Sequence, residues 1–329
     1  MKIKRITTFS TLGIALIALC LLSMRFGSVQ LDLHTFFSAL LYKEGFGTQS
    51  VILYTLRLPR ICAGILAGVG LGVSGVLLQS VTDNKMASPG LIGVNSGAGF
   101  AVILALSLQM IPVALIPIVS FAGAFLATLA IIAIAGRMGM TKNTVVLSGI
   151  AFSAILSAGI SLLSLLDTDV LVGYNSFSVG SLAGVEQSEL ILPAILIIIA
   201  LTAALFAAPK INLLALGAPI ASSLGVNVRG LRILCMLLAS ALAGAAVSVV
   251  GLLGFVGLMS PHIARALVGP DARRLIPCTA LVGADLVLLA DLCGRVLTAP
   301  GELPVGVLMA LLGAPFFLFI LLKGGSRDA

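Results

Sequence analysis

Few side chains in this sequence have the type and spacing that chemistry requires, and the clearest pair is Asp291 and Arg295. They stand four residues apart in an apolar run, so a helix would place them on one face where they can pair. Arg57 and Arg60 stand about one helical turn apart, just before another apolar run. Guanidinium groups bind carboxylates through two parallel hydrogen bonds, so these positions predict recognition of acidic groups. Two other interpretations stay open: lipid headgroup anchoring for Arg57 and Arg60, and a structural ion pair for Arg295.

Residues that catalyse reactions or hold metals do not form a recognisable pattern. His34 and His262 are far apart and have no ligand-like neighbours, which argues against a metal site. No GxxxxGK[ST] phosphate loop occurs, so we expect no ATP hydrolysis by this chain and no bound cofactor. The cysteines show no CxxC spacing and lie in or beside apolar runs, which predicts buried free thiols at Cys20, Cys62, Cys235, Cys278 and Cys293.

The composition places the chain in a lipid bilayer. Of its 329 residues 60% are hydrophobic and 9% are charged, and the mean hydropathy is +1.22. A soluble domain has roughly 25% charged residues, so this chain cannot cover itself with a water-compatible surface. The sequence therefore predicts an all-α integral membrane protein with one transmembrane domain over residues 1–329.

Apolar runs long enough to cross the membrane predict about ten transmembrane helices, since each span needs about 20 residues. The first run follows a basic start, as in a signal peptide, but no small-residue cleavage site follows it, which favours an uncleaved first span. The predicted spans are 9–26, 61–80, 91–110, 113–136, 144–166, 190–208, 231–250, 252–268, 275–297 and 303–322.

Basic residues predict the orientation. With both termini in the cytoplasm, most Lys and Arg residues fall on the cytoplasmic side, as the positive-inside bias requires. The basic residues left on the outer side are Arg25, Lys43, Arg57, Arg60 and Arg295.

Two further patterns predict close contacts. Gly64, Gly68 and Gly72 recur every four residues, so they would line one face of a span and let another backbone approach. Residues 211–230, on the predicted cytoplasmic side, are too polar and too rich in glycine to span the membrane, yet too apolar for a disordered loop. An amphipathic element that binds in a groove of a partner protein explains this stretch.

Four ordered motifs resemble those of the FecCD-type permeases. The first is Arg57-Leu58-Pro59-Arg60, and the second is GVSGVLLQSVTDNKMASPGLIGVNSGAG over residues 72–99. The third runs from Leu213 to Gly217 and continues through Ala221, Leu224-Gly225-Val226 and Arg229. The fourth is a block over 251–318 that contains Pro261-His262, Ala264-Arg265, Asp271, Arg273, Ala290-Asp291, Arg295 and Glu302-Leu303-Pro304-Val305-Gly306. The chain departs from the family pattern at Lys85-Met86, where Pro-Leu is usual, and at Ala218-Pro219, where an acidic residue is usual.

The resemblance implies a permease subunit of a bacterial ATP-driven importer with the type II fold, located in the cytoplasmic (inner) membrane. Its cargo would be a ferric siderophore, with haem or cobalamin as alternatives. Its partners would be two cassette ATPase subunits that use ATP, an extracytoplasmic substrate-binding protein and a second permease subunit, with no nucleic acid.

The resemblance also assigns roles to particular residues. Arg57, Arg60 and Arg295 would dock the binding protein. The coupling loop at about 211–230 would contact the ATPase through Leu213, Leu216, Gly217, Ala221, Leu224 and Gly225. The translocation pathway and its gate are predicted to involve Gln79, Asn84, Pro89, Asn95, Thr141 and Asn143.

Two other classes of function remain as alternatives. An ion-coupled secondary transporter would need ionisable residues inside the membrane, for which Asp285 and Asp291 are the clear candidates. Asp285 has three interpretations: a substrate or proton site, a side chain facing a polar cavity, or a contact with another helix. An integral membrane enzyme would need clustered His, Cys or carboxylate side chains, which this sequence does not provide.

Overall fold

The computed structural model describes residues 2–27, 52–109 and 111–325. His34, Lys43 and Arg327 lie outside these residues. The described part is helical and contains no strand. We number the helices α1 (Lys2–Arg25), α2 (Leu58–Thr82), α3 (Val94–Leu108), α4 (Ile116–Arg137), α5 (Lys142–Leu166), α6 (Thr168–Val179), α7 (Gln187–Leu214), α8 (Ala218–Ser223), α9 (Val228–Val250), α10 (Val256–Val268), α11 (Ala272–Leu297) and α12 (Val305–Gly325). A π-helical turn over Ile52–Arg57 leads into α2.

Seven of these helices, within the described ranges, are long and apolar enough to cross a membrane: those that include Ile6–Arg25, Ile52–Thr82, Ile116–Arg137, Lys142–Leu166, Gln187–Leu214, Val228–Val250 and Ala272–Leu297. The predicted span 91–110 corresponds to the shorter apolar helix Val94–Leu108, and the predicted span 303–322 corresponds to α12, whose apolar stretch includes Val305–Ile320. The predicted span 252–268 is mostly the 13-residue α10. An all-helical membrane protein is therefore confirmed, whereas the count of ten remains a prediction.

Helix α2 is the centre of the bundle and is buried along most of its length. It packs against α9 on one side and against α11 and α10 on the other. The glycine face predicted at Gly64, Gly68 and Gly72 is the one that meets α11 and α10. A methyl group on Gly68 would lie 2.3 Å from the carbonyl oxygen of Gly283, so the two backbones touch where these glycines meet.

The helices run between two ends of the bundle, which we name by what they carry. Helix α11 is antiparallel to α2, since Leu288 lies against Gly64 and Thr279 lies against Gly72. The start of α2 and the end of α11 therefore lie together at the arginine end, which carries Arg60 and Arg295. The α8 end, opposite, contains the short α8, the end of α2 and the start of α11.

The close contact at Gly68 predicts a sharp effect of one methyl group. Gly68→Ala should lower the thermal unfolding midpoint in detergent, because overpacking costs about 1–3 kcal/mol and exceeds the helix-propensity gain of about 1 kcal/mol. Gly13→Ala on α1 is the matched control, since nothing lies within 4 Å of the added methyl group. A midpoint for Gly68→Ala equal to that of Gly13→Ala would contradict this packing.

Candidate functional site

The arginine end is built around Asp291, which accepts two guanidinium groups. Arg60 of α2 donates from Nη2 to Oδ1 of Asp291 at 2.8 Å and from Nε at 3.0 Å. Arg295, one turn along α11, places Nε 3.0 Å from Oδ2 of Asp291, which confirms the predicted pairing. The Asp291 side chain is only 2% exposed, so it is a buried carboxylate held between two cations.

Two of the three arginines also bind the end of α1. The last carbonyl groups of a helix have no partner within the helix and carry partial negative charge. Arg295 donates from Nη1 to the carbonyl oxygens of Ser23 and Phe26, and Arg57 donates from Nη1 to those of Met24 and Arg25. Both side chains are buried. In the isolated chain these arginines hold α1 against α2 and α11, a role that the sequence did not predict for either residue.

The third arginine reaches the surface. Nη1 of Arg60 donates to Oε2 of Glu302 at 2.6 Å, and Glu302 is the more exposed partner, with 29% of its side chain accessible. A cavity of about 260 Å³ opens beside this pair and is lined by Arg57, Arg60, Arg295 and Glu302, together with Gly27, Ile52, Leu56 and residues 183–185. It is predominantly cationic, which suits an acidic ligand.

At the α8 end, an apolar surface is exposed between α7 and α9. Ile220 on α8 and the two leucines that flank this helix, Leu216 and Leu224, are each more than half exposed, and we call these three side chains the α8 stripe. Ala221 faces inward and is fully buried. The backbone of Gly217 (φ 102°) and of Gly225 (φ 82°) adopts positive φ on either side of α8, which glycine allows without strain.

The amphipathic segment is shorter than the predicted 211–230. Helix α7 continues to Leu214, so Leu213 belongs to its last turn, and α9 begins at Val228. The irregular part with α8 therefore covers residues 215–227.

A reciprocal pair of hydrogen bonds joins the end of α7 to the start of α11. Asn212 donates from Nδ2 to Oδ1 of Asp271 at 2.7 Å, and its Oδ1 accepts from the backbone N–H of Ala272 at 2.7 Å. Asp271 also caps α11 by accepting from the backbone N–H of Arg273. The hydrogen bond from Asn212, followed by that from Arg273, holds the pKa of Asp271 below its ordinary value. The carboxylate is therefore the form that makes this link near neutral pH.

The predicted pathway residues fall into two groups and do not form one site. Asn84 and Asn143 line one cavity of about 450 Å³ between the end of α2 and the start of α5. At the same place Lys142 pairs with Asp83 at 3.2 Å. Thr141, beside them, caps α5 by accepting from the backbone N–H of Thr144. Pro89 and Asn95 line a second, small cavity of about 50 Å³ beside the irregular backbone before α10, at Leu253, Gly254 and Phe255.

Gln79 is bound by a partner that sequence spacing did not reveal. Its Oε1 accepts from Nη2 of Arg265 on α10 at 3.0 Å, although the two residues are 186 positions apart. Gln79 is nearly fully buried, so this contact fixes α10 against the end of α2. Neighbouring Asn84 makes a local turn by accepting from the backbone N–H of Met86.

Asp285 lies six residues before Asp291 on α11 and has a very different environment. Both of its carboxylate oxygens are shielded from solvent, and within the described residues neither has a hydrogen-bond partner. Among the described residues, α11 therefore carries one well-paired carboxyl group, that of Asp291, and one without a partner, that of Asp285.

Comparison with known proteins supports the resemblance seen in the motifs. The sequence profile of the FecCD transport family matches residues 15–323. Similar proteins include the Fe(3+)-citrate import system permease protein YfmE of Bacillus subtilis, 37% identical over 94% of this chain and 93% of that protein. The hemin transport system permease protein HmuU of Yersinia pestis is 39% identical over 82% of each chain. An inward-facing structure of a metal-chelate type ABC transporter matches with a TM-score of 0.85 and 31% identity, over 96% of this chain and 99% of that one.

The two carboxylates on α11 give a matched test of the arginine end. Asp291→Asn should lower the stability of the protein by about 3–5 kcal/mol, because it leaves two buried guanidinium groups without their anion. Asp285→Asn makes the same replacement on the same helix and should leave the thermal unfolding midpoint unchanged or raise it, since its oxygens have no described partner. Equal losses in the two variants would show that the pairing at Asp291 contributes nothing specific.

Proposed function

Because the chain belongs to the FecCD transport family, we propose that it is the permease subunit of an ATP-driven importer that carries a ferric siderophore or a related iron chelate. The observation that carries this proposal is the family match over residues 15–323, with relatives named for ferric citrate, hydroxamate, hemin and ferric enterobactin transport. The chain itself would perform no covalent chemistry.

The transport unit would contain more than this chain. A large chelate needs a wide pathway, and two permease subunits meeting around an axis provide one. Two cassette ATPases would supply the energy, and an extracytoplasmic substrate-binding protein would deliver the chelate. We place the whole chain in one transmembrane domain of about ten spans, in the bacterial inner membrane with both termini in the cytoplasm, so that the arginine end is outside and the α8 end is inside.

The α8 stripe is the proposed contact with the ATPase. Exposed leucine and isoleucine side chains on and beside a short helix fit an apolar groove on a partner protein. Helix α8 is short and connects α7 directly to α9, and both of these helices pack against α2. The Asn212–Asp271 link adds α11 to the same unit. A displacement of α8 by the ATPases would therefore reach the helices at the centre of the bundle.

At the other end, Arg57, Arg60 and Arg295 form the proposed docking surface for the binding protein. Support comes from the cationic cavity that they line together. Arg60 is the most accessible of the three, because Arg57 and Arg295 are buried against the end of α1.

Haem and cobalamin remain alternative cargoes, and the relative from Yersinia pestis is named for hemin. An ion-coupled secondary transporter is the alternative from another class. The unpaired carboxyl of Asp285 is the observation that favours it, since intramembrane carboxylates are costly and often functional.

Reconstitution into liposomes tests the proposal directly. The purified chain alone should hydrolyse no ATP and should show no uphill uptake of ⁵⁵Fe-labelled ferric citrate or ferrichrome under an imposed proton gradient. Adding the cassette ATPase and the binding protein of the same transport system should start ATP-dependent uptake of the cognate chelate. Uphill uptake driven by the proton gradient without an ATPase would instead support a secondary transporter.

Charge substitutions on the α8 stripe test the ATPase contact. Leu216→Asp with Leu224→Asp should abolish copurification of the ATPase, because a buried unpaired charge costs several kcal/mol. The permease should still insert, since both side chains are exposed in the isolated chain. Met138→Asp is the matched control: Met138 is an exposed apolar residue at the end of α4, outside the stripe. Copurification that survives the double substitution would show that α8 is not the contact.

A further inference from the structure

The two carboxylates that bind Arg60 differ in how firmly they are held. Asp291 is 2% exposed and belongs to α11, which packs along α2. Glu302 is 29% exposed and belongs to the short non-helical connection between α11 and α12. Withdrawal of Asp291 would leave Arg60 and Arg295 buried without their shared anion, whereas Glu302 can move its carboxylate into water by rotating its side chain. Of the two anions, Glu302 is therefore the one that can be exchanged.

The surroundings of Arg60 favour a second acidic group. Arg57, Arg60 and Arg295 line the adjacent cavity with Glu302, whereas Asp291 lies behind them. Among these five side chains the guanidinium groups outnumber the carboxylates. Arg295 is 2% exposed, and its Nη2 has no hydrogen-bond partner within the described residues. The cavity volume of about 260 Å³ is enough for the end of one carboxylate side chain.

We propose that Glu302 is an intramolecular competitor for docking: it occupies Arg60 in the isolated permease, and an acidic side chain of the docking protein replaces it. The inference rests on the proposed function, because it assumes that a binding protein docks at the arginine end. Asp291 keeps Arg60 in position throughout, since the guanidinium binds it through Nε and Nη2 and leaves Nη1 for the exchange. The partner that fits is a protein surface that presents a glutamate or aspartate side chain long enough to enter the cavity.

The substitution Glu302→Gln tests this exchange, because it keeps the side-chain length and removes the competing charge. The dissociation constant should be measured between the assembled transporter in nanodiscs and the binding protein of the same transport system. We expect docking about two- to fivefold tighter than wild type, the range that partly exposed ion pairs give. Asp169→Asn is the matched control, since it removes one acidic charge from the predicted outer face at the start of α6, away from the cluster. Arg60→Glu should weaken docking.

A second measurement needs no partner. Phenylglyoxal modifies accessible arginine side chains, and peptide mass spectrometry reports the rate at Arg60. Modification should be faster in Glu302→Gln than in wild type and unchanged in Asp169→Asn, provided that the thermal unfolding midpoints of the three proteins agree. If Glu302→Gln lowered the thermal unfolding midpoint and was modified faster at every arginine, the variant would be unfolding. That result would overturn the proposal.

The two proposals fail in different ways. Absence of docking to the wild-type transporter would refute the proposed function and with it this inference. Wild-type docking that Glu302→Gln leaves unchanged or weakens, or an unchanged modification rate at Arg60, would refute the inference alone.

Discussion

The close approach of α2 to its neighbours is the constraint on which the rest of the structure depends. A helix in lipid gains little from burying apolar side chains, because the lipid tails around it are equally apolar. Helix–helix association must therefore come from close packing and from polar bonds between helices. At Gly68 and Gly283 two backbones touch, and at Gly75 a methyl group would lie 2.0 Å from the carbonyl oxygen of Gly257. These contacts set the positions of α10 and α11 relative to α2. The ion pairs at one end and the Gln79–Arg265 bond at the other follow from that placement.

Charge is distributed differently at the two ends of the bundle. At the arginine end, cations converge on one buried carboxylate and on the last carbonyl groups of α1. At the α8 end, the polar link between Asn212 and Asp271 is partly exposed, and the neighbouring surface is apolar. An electrostatic surface favours rapid, salt-sensitive association, whereas an apolar one favours a lasting contact. The arginine end thus suits transient docking of the proposed binding protein, and the α8 end suits lasting contact with the proposed ATPase.

Spacing along the sequence predicted the features that lie within a single helix. The glycine face of α2 and the Asp291–Arg295 pair both follow from helical periodicity and are confirmed. The pairing of Arg60 with Asp291 joins residues 231 positions apart, and no periodicity encodes which helices become neighbours. The roles of Arg57 and Arg295 at the end of α1 were missed for a similar reason, since a guanidinium group can bind a carbonyl oxygen as well as a carboxylate. Span counting was least informative for α3 and α10, where a hydropathy window joins a short helix to the irregular backbone beside it.

The hydrogen bonds from Arg57 and Arg295 to the end of α1 have a consequence for how the chain is assembled during synthesis. Only 6% of the apolar window of α1 is buried, so packing alone holds this helix weakly. Its carbonyl groups at Met24 and Arg25 meet Arg57 after 32 or 33 residues, but Ser23 meets Arg295 only after 272 residues. Helix α1 therefore acquires its contacts with Arg295 only after about 270 further residues have been translated. Until then, within the described residues, Arg57 is the guanidinium group that binds the end of α1, and closure of the bundle at this end awaits α11.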